Sequence, residues 1–204
     1  MDGTPPHADA RNHKPERGIF REVVLGKPGG YAAIILLASL AVYGFGPRGL
    51  RFFMVPSISM EPTLQVGDML ATLRYPEYHR GDIVVMRHDG EYLVKRIAGL
   101  PGDVLNVVDG ALFIDGKYAS EPYIKEPMGY VIDQPVQVPE GQMFFLGDNR
   151  NHSEDSSMER AKGFGGDHDF GKLDEVVGRV IFRYYPYSRW GRVRSYPLVN
   201  TAGV

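Results

Sequence analysis

The chain contains no cysteine. That removes disulfide bridges, thiol nucleophiles and thiolate zinc sites, and leaves the redox compartment open. Net charge is also scarce, at -2 over 204 residues. Without a strong field to hold a polyanion, nucleic acid is a poor partner. There is no Gly-x-Ser-x-Gly nucleophile elbow and no His-Glu-x-x-His metal motif, so neither of those hydrolase signatures applies. Low-complexity segments and internal repeats are lacking as well. Glycine and proline, by contrast, are plentiful at 25 and 15. With short runs rich in Val, Ile, Tyr and Phe between them, they indicate a mainly β fold. The length suits one domain with room for a subdomain.

Residues 1–27 are polar and broken by Pro5, Pro6 and Pro15, which predicts a disordered or loosely helical tail. An uncharged run then extends from Pro28 to Pro47, between Lys27 and Arg48. As a helix it would be about 30 Å long, the thickness of a bilayer's hydrocarbon core. A buried core helix would show a polar face, which this run lacks. A cleaved signal peptide, with Ser39-Leu40-Ala41 as its small-x-small site, rarely has so long a polar leader. An uncleaved transmembrane anchor over 28–47 is therefore expected. Arg11, Lys14, Arg17, Arg21 and Lys27 precede the run against Arg48 and Arg51 after it. That asymmetry favours a cytoplasmic N-terminus and an extracytoplasmic domain over 48–204 in a cell membrane.

Gly67-Asp68, Gly81-Asp82 and Gly102-Asp103 each precede an apolar run. Glycine frees the turn and aspartate bonds locally, so these pairs mark where strands start. Strands are predicted over Arg51–Val55, Met69–Arg74, Asp82–Arg87, Glu91–Ala98, Val104–Val108, Gln142–Leu146 and Val176–Tyr184. Asp109-Gly110 and Asp115-Gly116 are hairpin dipeptides that would fold Ala111–Ile114 back on its neighbour. Ser156–Gly171, glycine-rich, charged and without a period, reads as a mobile loop.

Three segments carry candidate chemistry. In a strand, Leu93, Lys95 and Ile97 share a face, which sets Lys95 between apolar neighbours. It could be an edge-strand lysine reaching to water. Alternatively, it is buried, which disfavours the ammonium and lowers the pKa; an unperturbed lysine is neutral in only about one molecule per thousand near neutral pH. Ser57 and Ser59 lie between Pro56 and Pro62, which stiffen a turn that could present a hydroxyl, although serines in turns are also common as caps. The polar loop Gly147-Asp148-Asn149-Arg150-Asn151-His152-Ser153-Glu154-Asp155-Ser156 could return a hydroxyl and carboxylates to the site, or be a solvated turn.

In order, Pro56 to Leu64, Lys95-Arg96-Ile97-Ala98-Gly99-Leu100-Pro101-Gly102-Asp103 and Gly147 to Ser156 closely resemble the three signature boxes of the signal peptidase I family. The resemblance covers roughly residues 30–185. It implies a membrane serine endopeptidase that removes signal peptides from exported precursors, cutting after small residues at the -3 and -1 positions. Ser59 would be the nucleophile and Lys95 its base, with Ser57 joining the Ser59 amide in an oxyanion hole. Ser153 would orient Lys95, and Asp148 and Asp155 would support the site from behind. The implied fold is a partly closed, barrel-like β core with a smaller β subdomain inserted at about 104–142. Neither a metal nor another cofactor is expected; secretory precursors and the bilayer are the expected partners. In relatives an arginine often stands two residues after the aspartate matched by Asp155 and pairs with it. Ser157 occupies that place here, leaving Arg150 or Arg160 as candidate substitutes.

Other functions make different demands. A Ser-His-Asp hydrolase would need His79, His88, His152 or His168 beside the serine. A metal hydrolase would have only Asp167-His168-Asp169 to offer. A tethered binding module would need neither Ser59 nor Lys95.

Overall fold

The computed structural model describes residues 28–46, 49–163, 166 and 169–198. It divides into two units, Met1–Gly44 and Phe45–Val204. The tail over 1–27 lies outside the described residues.

Pro28–Phe45 forms helix α1, all of it but Phe45 in the first unit. Its side chains from Ile34 to Leu37 and at Leu40 are exposed. The helix begins where the uncharged run begins, but the expected 28–47 span is not reproduced. Eighteen residues give about 27 Å against the roughly 30 Å of a hydrocarbon core. Among the described residues no helix is long and apolar enough to cross a membrane.

The second unit is mainly β, in two sheets. Its strands are β1 (Arg51–Met54), β2 (Met69–Leu73), β3 (Ile83–His88), β4 (Glu91–Gly99), β5 (Val104–Val108), β6 (Ala111–Ile114), β7 (Lys117–Tyr118), β8 (Ile132–Gln137), β9 (Gln142–Leu146), β10 (Gly171–Lys172), β11 (Val176–Tyr185) and β12 (Gly191–Arg192). The larger sheet runs β1-β2-β11-β3-β4-β9-β10, with β12 against β11; the smaller runs β7-β6-β5-β8. The expected partly closed barrel is not found among the described residues: the larger sheet is an open path whose ends, β1 and β10, are not paired. Those ends are only four and two residues long, which leaves little backbone to join.

Strand β3 shows why the larger sheet is stable. Val85 and Ile83 join one core with Met60, Leu64 and Leu70, while Val84 and Met86 join another with Ile97, Met143 and Phe145. Both faces are covered, so the strand reads as an unbroken apolar run instead of an alternating one. A third core, around Leu105, Leu112, Ile114 and Val136, packs the smaller sheet against Phe144 and Leu146 of β9.

The Gly-Asp turns behave as their chemistry requires. Asp68, Asp82 and Asp103 each accept the amide three residues back, from Gln65, His79 and Leu100, at 2.9, 3.0 and 2.8 Å. Asp109-Gly110 and Asp115-Gly116 have positive φ at both residues, as tight hairpin turns require. Strand β8 was not foreseen because Pro135 argues against a ladder; β8 is an edge strand of its sheet, where proline is tolerated. The stretch expected as a mobile loop opens instead with helix α2, Ser156–Ala161, whose N-cap is Asp155.

Candidate active site

Strand β4 lies between β3 and β9, so Lys95 is interior and the edge-strand reading fails. It pairs with Val84 and is 3% exposed. Its Nζ donates to Ser153 Oγ at 2.8 Å. Burial pushes the lysine pKa below its ordinary value, opposed in part by the negative charges of Asp155 and Glu154. A cation with no water shell is disfavoured, and a neutral amine is what a base needs.

Ser59 sits on a short helical turn, Ile58–Met60, immediately after β1. Met60 and Leu64 are buried in the core below it, which fixes the turn from one side. Ser57 Oγ lies 3.2 Å from Ser59 Oγ. The loop after β9 fixes the turn from the other side: Asn149 N donates to the Ser59 carbonyl at 3.0 Å, and Asn149 Nδ2 to the Ile58 carbonyl at 3.1 Å.

Gly147 brings these parts together. A Cβ there would lie 2.5 Å from the Ser59 carbonyl oxygen and 2.6 Å from Ser153 Cβ, so the Ser59 backbone and the Ser153 side chain flank one glycine. Ser153 is in turn bonded to Lys95. The three segments singled out in the sequence therefore converge on one buried spot.

Neither predicted carboxylate touches Lys95; both support the loop. Asp148 receives Arg96 Nε and Nη2 at 2.8 and 2.7 Å, both residues being buried. Arg96 also donates to the Gly81 carbonyl at 2.7 Å and lies under the Tyr123 ring at 3.8 Å. Asp155 accepts Gly147 N at 2.9 Å through one oxygen and, through the other, Ser157 N, Ser157 Oγ and Met158 N at 3.1, 2.7 and 3.2 Å. Neither candidate arginine reaches it. Arg150 pairs with Glu121 at 2.5 Å and Arg160 with Asp169 at 3.0 Å. Asp155 instead takes the hydroxyl of Ser157.

His88 packs on Phe145 at 5.1 Å and His152 is exposed; among the described residues no histidine bonds Ser59. Asp167 and His168 lie outside the described residues, among which no group of metal-binding side chains occurs. Sequence reasoning missed Glu121, Tyr123, Tyr130 and Asn149. The first three lie in a Pro- and Gly-punctuated connection with no period; Asn149 was visible inside its loop, but its backbone targets were not.

A family model described as signal peptidase, peptidase S26, matches residues 29–185. The chain belongs to this family. A probable signal peptidase I-1 of Synechocystis sp. is 37% identical over 74% of this chain and 81% of its own length. A signal peptidase I of Bacillus licheniformis is 35% identical over 76% and 85%. A solved signal peptidase I from Enterococcus faecalis V583 is 29% identical over 50% of this chain and 96% of its own, with a TM-score of 0.40. As a peptidase S26 member of the signal peptidase I type, the chain is a serine endopeptidase.

Proposed function

We propose that this peptidase removes signal peptides from secretory precursors, with Ser59 as nucleophile and Lys95 as general base. The observation that supports it most directly is a buried lysine amine bonded to Ser153 at 2.8 Å, on a loop whose Gly147 also abuts the Ser59 carbonyl. A neutral amine has one lone pair. By accepting one N–H, Ser153 restricts the amine's rotation and leaves that lone pair for the Ser59 proton. Ser59 Oγ then attacks the scissile carbonyl. The developing oxyanion is held by the Ser59 amide and the Ser57 hydroxyl, a preorganised pair of donors. Lys95 passes the proton to the leaving amine, and the acyl-enzyme is hydrolysed by a water that gives its proton to Lys95, which returns it to the departing Ser59 Oγ. Asp148 and Asp155 keep the loop in place through Arg96 and the Gly147 amide.

Specificity for small residues at -3 and -1 would come from steric exclusion beside Ser59. The exposed apolar flank of α1 would associate the chain with the bilayer in which the substrate's apolar segment lies. We assign residues 1–27 to the cytoplasmic side and 48–204 to the outer side. Residues 104–142 would act as a subdomain of that outer part.

The test is cleavage of a precursor carrying alanine at both positions, by the full chain in lipid-containing micelles. Cutting at that bond by the parent, with Ser59→Ala and Lys95→Ala folded but inactive, supports the assignment. A parent that cuts no such precursor points to a protease with one dedicated substrate. In sealed vesicles, digestion of the 48–204 region by added protease from the cytoplasmic face would reverse the orientation.

A further inference from the structure

The loop carrying Ser153 is fastened from one side by the connection between β7 and β8. Glu121 takes Arg150 Nη1 and Nη2 at 2.8 and 2.5 Å. Asn151 donates to Glu126 and the Pro127 carbonyl at 2.9 and 3.0 Å and accepts Gly129 N at 2.7 Å. The third fastening is different in kind. Tyr130 Oη lies 2.6 Å from Ser157 Oγ, much closer than the 3.5 Å to its other acceptor, the Arg150 carbonyl, and Ser157 Oγ donates to Asp155 at 2.7 Å. The serine hydroxyl has a single proton, which that bond consumes, so the tyrosine O–H is the donor to the serine. Burial first, and then the charge of Asp155, pushes the Tyr130 phenol up to about 12, so its proton is retained at neutral pH.

Asp155 is 2% exposed. Each hydrogen bond it accepts comes from a neutral group: the Gly147, Ser157 and Met158 amides and the Ser157 hydroxyl. Among the described residues no cation bonds it. A buried carboxylate in that position depends on its hydroxyl donor, and a donor that is itself hydrogen-bonded is polarised and strengthened.

We propose that Tyr130 is a positioning residue of the Ser59–Lys95 dyad: through Ser157 it fixes the Asp155 carboxylate, which holds the Gly147 amide and the loop that sets Ser153 against Lys95. This rests on the reading of Lys95 as the base. The charges bearing on Lys95 are Asp155 and Glu154; those bearing on Tyr130 are Asp155, Arg150 and Glu121. Without the tyrosine's donation, the carboxylate charge is less compensated and favours the lysine ammonium. The rising acid-side limb of the rate profile then moves to higher pH.

The experiment measures kcat, KM, their pH profiles and the melting temperature for the full chain in micelles, as parent, Tyr130→Phe, Ser157→Ala and the double variant. Tyr130→Phe keeps the ring and removes only the hydroxyl. It is expected to lower kcat about three- to tenfold, the fold-change of one ordinary hydrogen bond, with KM unchanged and the limb at higher pH. Because both hydroxyls act through one chain, the double variant is expected to be no slower than the slower single. A Tyr130→Phe enzyme with the parent's kcat and limb overturns the proposal. So do losses that multiply in the double variant, or a kcat loss accounted for by unfolded protein. An active Lys95→Ala removes the underlying reading, and this proposal with it, without any measurement on Tyr130.

Discussion

Asp148→Ala should destabilise the protein more than any surface change, because it strands a buried guanidinium. Arg96 is 1% exposed and Asp148 is fully buried, and two of the arginine's donors, at 2.8 and 2.7 Å, go to this one carboxylate. After the substitution the Gly81 carbonyl and the faces of Tyr123 and Tyr196 remain, none of them an anion. Breaking a buried ion pair by removing one partner costs about 3–5 kcal/mol, because the other charge is left without compensation. For a folding unit the size of Phe45–Val204, 1 kcal/mol moves Tm by about 2–4 °C, so the expected fall is roughly 6–20 °C. Thermal and urea unfolding of the variant would measure it, with an unchanged m-value showing that the native state alone is affected. The control is Arg96→Met with Asp148→Leu, which removes both charges. That double variant should be more stable than Asp148→Ala although it loses more hydrogen bonds, since apolar replacement of a whole buried pair is often close to neutral. A loss under about 1 kcal/mol in Asp148→Ala, within the range of ordinary point changes, would refute the reasoning. So would a double variant less stable than Asp148→Ala.

Three further outcomes follow from the site. Glu154 is exposed and its charge works against the lowering of the Lys95 pKa, so Glu154→Gln should shift the acid-side limb of kcat/KM to lower pH; a shift to higher pH would contradict the sign. Gly147→Ala should abolish turnover, since its Cβ would stand 2.5 Å from the Ser59 carbonyl oxygen, and retention of a tenth or more of the parent's kcat would show that the loop gives way there. Ser57→Ala should lower kcat about 100-fold or more, the scale of a lost oxyanion donor, while leaving KM and Tm near the parent's; a fall in Tm with kcat preserved would make Ser57 merely a turn residue.

Some of this arrangement could be read from local chemistry. Strand β5, hairpin strand β6 and strand β9 begin and end where the Gly-Asp and Asp-Gly dipeptides and the apolar runs place them, because turn residues act on their immediate neighbours. Lys95 could be placed on an apolar face by counting in twos, but not in the interior. Its burial depends on β9 pairing with β4 across more than forty intervening residues, and no local pattern encodes that pairing. Pro135 concealed β8 for the same reason in reverse: a local rule against strands yields when the strand is at an edge. The uncharged run did predict a helix, and the helix begins with that run at Pro28.

The two supporting carboxylates show where residue matching reaches its limit. Position in the third box suggested Asp148 and Asp155 as supports, and both are buried in the structure. Which partner each uses was not legible. Ser157 in place of an arginine suggested a missing charge to be supplied by Arg150 or Arg160, yet both arginines already answer other carboxylates, Glu121 and Asp169. A buried acid does not require a cation if enough N–H and O–H donors surround it, and Asp155 has four such bonds. Three of them come from the first turn of α2, which Asp155 itself caps. The helix that capping creates is therefore part of the support, in a segment whose composition had suggested only a loop.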